Sequence, residues 1–504
     1  GRMRGVTPDP QMMARLDVHF RRVDLSGIQD AVLSECARYS PSYASVRVHQ
    51  TRHRYLHLRD LAVETALDQR EIGVGVRVVV AGAWGFAATS DLTPEAVRAA
   101  ARRACELAQR SAALPGPRVE LAEEPVVTGV HISSYDVDSF TVPIDEMVAT
   151  LKDACAPLAA KVDHSSATLE CTLETTFLAD LAGTRVWQQR ARTQPVYSAV
   201  VLTADGFDDM STTAPPSGRG WEYVTGHWPW ADELAALPER LVEKTRAPSI
   251  EPGRYDLVID PTNLWLTIHE SVGHATEKDR ALGYEANYAG TSFATPDLLG
   301  ELRYGSALMN IRADRTAPHG LSTVGWDDEG VAAQEWDIVR DGVLVGYQLD
   351  RQMAGPGQRS NGCAYADSAE HVPIQRMPNV NLQPDPAGGD TRSLIAGVSD
   401  GIYIVGDKSW SIDMQRFNFQ FTGQRFYRIR DGELVGQVRD VAYQANTLDF
   451  WSSLSALGGP QTYLLGGAMN CGKGQPGQVA AVSHGCPSAL FTGVSVLNTK
   501  EEAR

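Results

Sequence analysis

The chain has 504 residues, 43% of them hydrophobic and 21% charged, and a formal net charge of −16. That length exceeds one ordinary core and, at roughly 150 residues per domain, predicts about two to four units of a soluble globular protein. The acidic balance opposes nucleic acid and anionic membrane as partners, and no apolar run reaches the roughly 18 residues of a membrane span.

The start, GRMRGVTPDPQMM, carries neither an apolar signal core nor a lipidation motif, so the expected compartment is the cytoplasm, with Gly1 and Arg2 read as additions before Met3. Seven cysteines are scattered and never form CxxC, which argues against a disulfide framework. Asp24 opens a helix before AVLSECARY. The alternation in YASVRVHQTRHRYLHL predicts a hairpin, with His49, His53 and His57 on a solvated or half-buried face. GVGVRVVVAGAWGFAAT predicts another hairpin, turning at Ala81 and Gly82. Thr93 before Pro94 then starts a helix over AVRAAARRACELAQR, because proline suits the first helical position. IDEMVATLKDACAPLAAK reads as helix and residues 167–202 as strand.

After the helical pattern DELAALPERLVEKT, Pro248, Pro252 and Gly253 punctuate the chain. They predict a boundary between a mixed α/β N-terminal domain, residues 1–248, and a predominantly antiparallel β C-terminal domain, residues 249–504. The fold class expected is α+β. RYDLVID reads as a buried strand, Asp260 as a cap and Pro261 as the first residue of a helix continuing through TNLWLTIHESVGH. RDGVLVG and RDGELVG each predict a tight Asp-Gly hairpin, a convergence rather than a duplication.

His269, Glu270 and His274 spell HExxxH. At about 100° per residue a gap of five leaves the two imidazoles about 140° apart on a regular helix. One ion can be reached from a π-type turn, or from a helix that ends near Gly273 and lets His274 swing inward. Neutral imidazole is a zinc ligand, and Glu270 beside a ligand is placed to take a proton from water. A third ligand is needed, with Glu277, Asp279 or a distant residue as candidates. Cys471, in the glycine-rich GGAMNCGKGQPGQ, is either a thiolate ligand or an ordinary buried thiol. Gly472, Gly474 and Gly477 formally spell GxGxxG, but Pro476 interrupts it and no βαβ unit surrounds it. Cys486 with His484 offers only a weak thiol-and-base pair. The HWPW cluster, His227 to Trp230, reads as packing or cavity wall.

HESVGHATEKDRALGYEANYAGTSF, DDEG at Asp327, GVLVGYQLDR, RMPN at Arg376 and NCGKGQPGQ together resemble the TldD/PmbA family of zinc metallopeptidases. GVGVRVVVAGAWGFAATSDLTPEAV is similar to that family's N-terminal signature, so the likeness spans nearly the whole chain in order. The resemblance implies zinc held by His269, His274 and Cys471, and Glu270 as general base. It also implies a dimer, of one chain or with a partner lacking the motif, that encloses the site and admits short or unfolded peptides as added strands. This chain departs from the family in SHGCP, Ser483 to Pro487, and in NGCAYADS; neither is expected to touch the ligands, so metal chemistry is expected to survive and substrate choice to change.

The leading expectation is therefore zinc-dependent hydrolysis of peptides, since imidazole with thiolate favours zinc over magnesium or calcium. The alternative keeps the metal and takes an amide of a small non-peptide metabolite, because scaffolds outlive their substrates. A third reading, the structural half of a heterodimer, sits poorly with three intact ligands.

Overall fold

The computed structural model describes residues 7–474 and 477–503; the Gly1-Arg2 start and Pro476 lie outside them. The fold is α+β. Helix α1 (Leu25–Ala37) precedes strands β1 (Tyr43–Arg59), β2 (Ala62–Val80) and β3 (Ala83–Thr89), followed by helix α2 (Pro94–Ala112). Then come β4 (Thr128–Ile132), α3 (Ile144–Ala159), β5 (His164–Asp180), β6 (Arg185–Thr203) and β7 (Gly206–Ser211). The strands form one sheet in the order β3-β2-β1-β5-β6-β4, with β7 also on β6, and every pair but β4–β6 is antiparallel.

The hairpin expected within residues 43–58 is instead one 17-residue strand. The reversal falls at Asp60 and Leu61, which take φ of 46° and 65° without a glycine. Asp60 is held there by its carboxylate, which accepts from Ser165 N at 2.8 Å, a local bond that lets aspartate tolerate a left-handed turn. The turn at Ala81 and Gly82 and the helix start at Thr93 and Pro94 are as predicted.

One face of this long sheet is apolar toward its two ends, with Gln50, Arg52 and Arg54 of β1 between them. Val46 and Val48 of β1 pack in a core with α1 and α2, while Leu56 and Leu58 pack in another with α3 and helix α4 (Trp230–Arg246). The opposite face is polar yet buried, because the second half of the chain lies on it. Glu174 accepts from Arg190, Arg192 and the Tyr365 hydroxyl, and Arg77 pairs with Glu329. His49, expected on a solvated or half-buried face, is buried on that polar side.

Beyond α4, strand β8 (Gly253–Ile259) leads into helix α5 (Pro261–Ile268). In a nine-stranded sheet β8 runs parallel to β9 (Asp400–Val405). A hairpin of β10 (Leu464–Lys473) and β11 (Gln478–Cys486) packs on α5, and β12 (Ala489–Asn498) returns antiparallel to β8. Both Asp-Gly pairs make the predicted turns, with φ of 49° and 82° at Asp341 and Gly342 and 49° and 77° at Asp431 and Gly432. Among the described residues no helix is long and apolar enough to cross a membrane.

Candidate metal centre

The Asp260 carboxylate caps α5 by accepting from Thr262 N at 3.1 Å, with Pro261 as the first helical residue. Every residue of α5 is buried, so the helix is a core element rather than an amphipathic one. It passes directly into a π turn, His269–Gly273, in which His274 N donates to the His269 carbonyl. Of the two routes open to HExxxH, the chain takes this one. The wider turn adds one residue without a full helical advance, so a gap of five behaves as a gap of four does in an α-helix.

Side chains hold the π turn in place. The Tyr304 hydroxyl donates to the Ser271 carbonyl, Thr276 Oγ1 to Val272 O at 2.8 Å and Gln348 Nε2 to Gly273 O at 2.6 Å. Gly273 is not required by torsion, since its φ and ψ are −56° and −60°. It is required by space: a Cβ there would stand 2.6 Å from Met377 Sδ.

The turn brings His269 and His274 together, and Cys471 completes the group: one ligand atom from each lies within 4.8 Å of the others. All three residues are at most 7% exposed. Cys471 lies on a strand rather than in the loop its glycines suggested. A register shift between Ala468 and Cys471 sets it opposite Ala480, and bulges re-aim side chains in this way.

Both imidazoles have one nitrogen already engaged. His274 Nδ1 donates to Glu277 Oε1 at 2.6 Å, which leaves Nε2 facing Cys471 Sγ at 3.5 Å. His269 Nδ1 donates to His484 Nε2 at 2.7 Å, and His484 Nδ1 donates to the Val380 carbonyl at 2.9 Å. Burial holds all three histidines below their ordinary pKa, hence neutral. Burial pushes the Cys471 thiol up, but His274 and Arg376 outweigh it and leave the thiol below its usual range. Two neutral imidazoles with free Nε2 atoms and an acidified thiol are the donor set that zinc takes.

Glu270, 5% exposed, receives Arg416 Nη1 on Oε2 at 2.6 Å. Oε1 takes no hydrogen bond among the described residues, so one carboxylate oxygen is left to accept a proton. Arg416 sits at φ 63°, a left-handed conformation unusual for arginine. Glu277 and Asp279, the nearby candidates for a third ligand, are otherwise occupied. Glu277 bonds His274 and pairs with Arg280 at 3.2 Å and Lys473 at 2.7 Å, and Asp279 pairs with Lys473 at 2.8 Å.

The expectation that SHGCP touches no proposed ligand is corrected by His484, which bonds His269 directly. Its two-residue neighbour Cys486 faces the Pro261 carbonyl at 3.8 Å, and burial raises its thiol well above the usual range. With His484 engaged elsewhere, the thiol-and-base pair is absent. The sequence offers His484 only as a weak base for Cys486 and within the departure at SHGCP, not as the partner of His269, and nothing in it singles out Arg416 or Lys473.

The model of the PmbA/TldA metallopeptidase C-terminal domain matches residues 252–498, and that of the PmbA/TldA metallopeptidase domain 1 matches residues 44–108. A metalloprotease of Methanothermobacter thermautotrophicus is 27% identical over 464 residues, 91% of this chain and 96% of its own. The zinc metalloprotease TldD homolog of Saccharolobus solfataricus is 28% identical over 226 residues, 44% of this chain and 47% of its own. The crystal structure of TldE from Thermococcus kodakarensis shares the fold at a TM-score of 0.68 and 15% identity, over 93% of this chain and 99% of that one. A Thermotoga maritima structure shares it at a TM-score of 0.74 and 16% identity, over 94% of this chain and all of that one.

Proposed function

The chain belongs to the TldD/PmbA family of metallopeptidases, and on that premise we propose that it is a zinc-dependent peptidase acting on short or unfolded peptides. The observation that carries the reading is the buried group of His269, His274 and Cys471, with one ligand atom of each within 4.8 Å of the others and both Nδ1 atoms engaged by His484 and Glu277. When bound, zinc supplies the Lewis acidity that acidifies water and polarises a carbonyl.

In this reading the chain's own groups do the rest. Glu270 Oε1 takes the proton of the attacking water and returns it to the leaving amine, while Arg416 fixes the other oxygen. Glu277 and His484 keep the ligand rings from rotating or changing tautomer. A peptide runs extended along β10, whose residues Leu464 and Gly466 to Asn470 line a cavity and whose next residue is Cys471. A dimer, homomeric or with a motif-lacking relative, belongs to the same proposal. Its support is the exposed Leu282, Tyr284 and Tyr288 on the segment following the ligands.

The test is metal content beside turnover of a mixed peptide pool. Wild type and Glu270→Gln should each hold one zinc per chain, with turnover in the variant down by roughly 10²–10⁴-fold. Cys471→Ala should lose the zinc. A Glu270→Gln protein as active as wild type would remove the general base from the proposal.

A further inference from the structure

We propose that the cavity between α5 and β10 is a subsite for a cationic substrate side chain, anchored by Asp407. This deepens the peptidase reading and rests on it for the chemistry that follows binding. The cavity measures about 310 Å³, a size typical of small-ligand pockets. Trp265 and Asp407 form one wall, Met469 and Asn470 of β10 another, and Trp410 stands at the side.

Charge identifies the occupant. Asp407 is the one formally charged residue among those that line the cavity. It accepts from Trp265 Nε1 at 3.2 Å and has no cationic partner within 4.0 Å among the described residues. The adjacent Lys408 is committed to Asp209. Burial raises the pKa of Asp407, as expected of a carboxylate whose charge is not compensated. An arriving ammonium or guanidinium supplies the missing charge through a charge-assisted hydrogen bond.

The walls select the rest of the ligand. Trp410 is 51% exposed and Met469 partly so, and together they offer apolar surface to a methylene stem and an indole to a cation. Position ties the cavity to the metal centre. Trp265 lies four residues before His269 on one helix face, with ring centroids 6.3 Å apart, and Asn470 directly precedes Cys471. Gly466 makes the close approach possible, since a Cβ there would lie 2.6 Å from the Trp265 Cβ. A lysine or arginine side chain seated on Asp407 therefore belongs to a residue close to the bond being cut.

The probes are N-acetyl-lysine methylamide and N-acetyl-norleucine methylamide, which share a stem and differ in charge. Titrated by NMR into the full-length protein, the lysine probe should bind at least tenfold more tightly. Asp407→Asn, which keeps an acceptor for Trp265, should bring the two probes level at unchanged zinc content. Trp410→Ala, at an exposed ring, should weaken both. Equal binding of the probes to wild type, or a lysine preference that survives Asp407→Asn, overturns the subsite. Cleavage of a mixed peptide library separates the two levels of the argument. Cleavage without enrichment of basic residues near the scissile bond sinks the subsite alone. No cleavage of any peptide, with the lysine preference intact, sinks the peptidase reading and leaves the subsite standing.

Discussion

His484 Nε2 accepts the Nδ1 proton of His269 at 2.7 Å, and this one contact decides which nitrogen of the ligand ring is left for a metal. The usual partner of a metal-ligating histidine is a carboxylate or a backbone carbonyl. Here a second histidine relays the bond to the Val380 carbonyl at 2.9 Å. His484→Met removes the acceptor while preserving bulk, and zinc affinity should fall by roughly 10- to 100-fold in competition with a chromophoric chelator. His484→Gln retains an acceptor and should stay near wild type. Unchanged affinity in the methionine variant would deny the relay any role.

Gly273 is a question of space. An alanine Cβ would lie 2.6 Å from Met377 Sδ, 2.9 Å from Met377 Cε and 3.5 Å from His484 Cε1. Gly273→Ala should therefore destabilise the protein by roughly 1–3 kcal/mol, the usual cost of overpacking. Combined with Met377→Ala, part of that loss should return, because the clash is with a flexible side chain. Thermal unfolding of both single variants and the double reads the coupling; strictly additive shifts would show that the two positions do not meet.

Lys473 is fully buried, pairs with Glu277, and donates to Asp279 and to the Gln375 carbonyl, the last at 2.6 Å. Lys473→Met leaves two carboxylates facing each other without their shared cation. Breaking such a buried pair costs roughly 3–5 kcal/mol. The expected result is a large fall in melting temperature together with loss of zinc, since Glu277 also orients His274. A variant with wild-type melting temperature would mean that the carboxylates are compensated elsewhere.

Burial, with Arg47 and Arg190, pushes His49 down to about 3 against the ordinary 6.5, although Glu174 opposes the shift. Arg47 donates to its Nδ1, which keeps the ring neutral. The folded state thus binds fewer protons than the unfolded one between these values. The stability contributed is complete above pH 6.5 and is lost as pH falls below it, by about 2 kcal/mol at pH 5. Melting temperature should fall from pH 7 to pH 5, and His49→Gln should flatten that fall. Equal slopes would mean that His49 protonates freely in the folded protein.

Local signals are legible in the sequence. Thr93 with Pro94, the two Asp-Gly turns and Asp260 with Pro261 each state their own conformation within a few residues. The spacing of HExxxH required a distortion, and the π turn supplies it. What could not be read is what distance in sequence conceals. His484 is 215 residues from His269, and Arg416 is 146 from Glu270. The polar face of the long sheet misled for a related reason: Glu174 and His49 alternate as solvent-facing residues do, yet they are covered by a part of the chain more than a hundred residues on.

The carbonyls of Ser271, Val272 and Gly273 end on Tyr304, Thr276 and Gln348, two of them well outside the motif. The HExxxH stretch is consequently not a portable unit. Grafted onto a host helix, it would relax to the ordinary backbone ladder, and its two histidines would face away from each other. A designer wishing to borrow this chemistry would have to carry over the socket that props the turn open as well as the residues that ride on it.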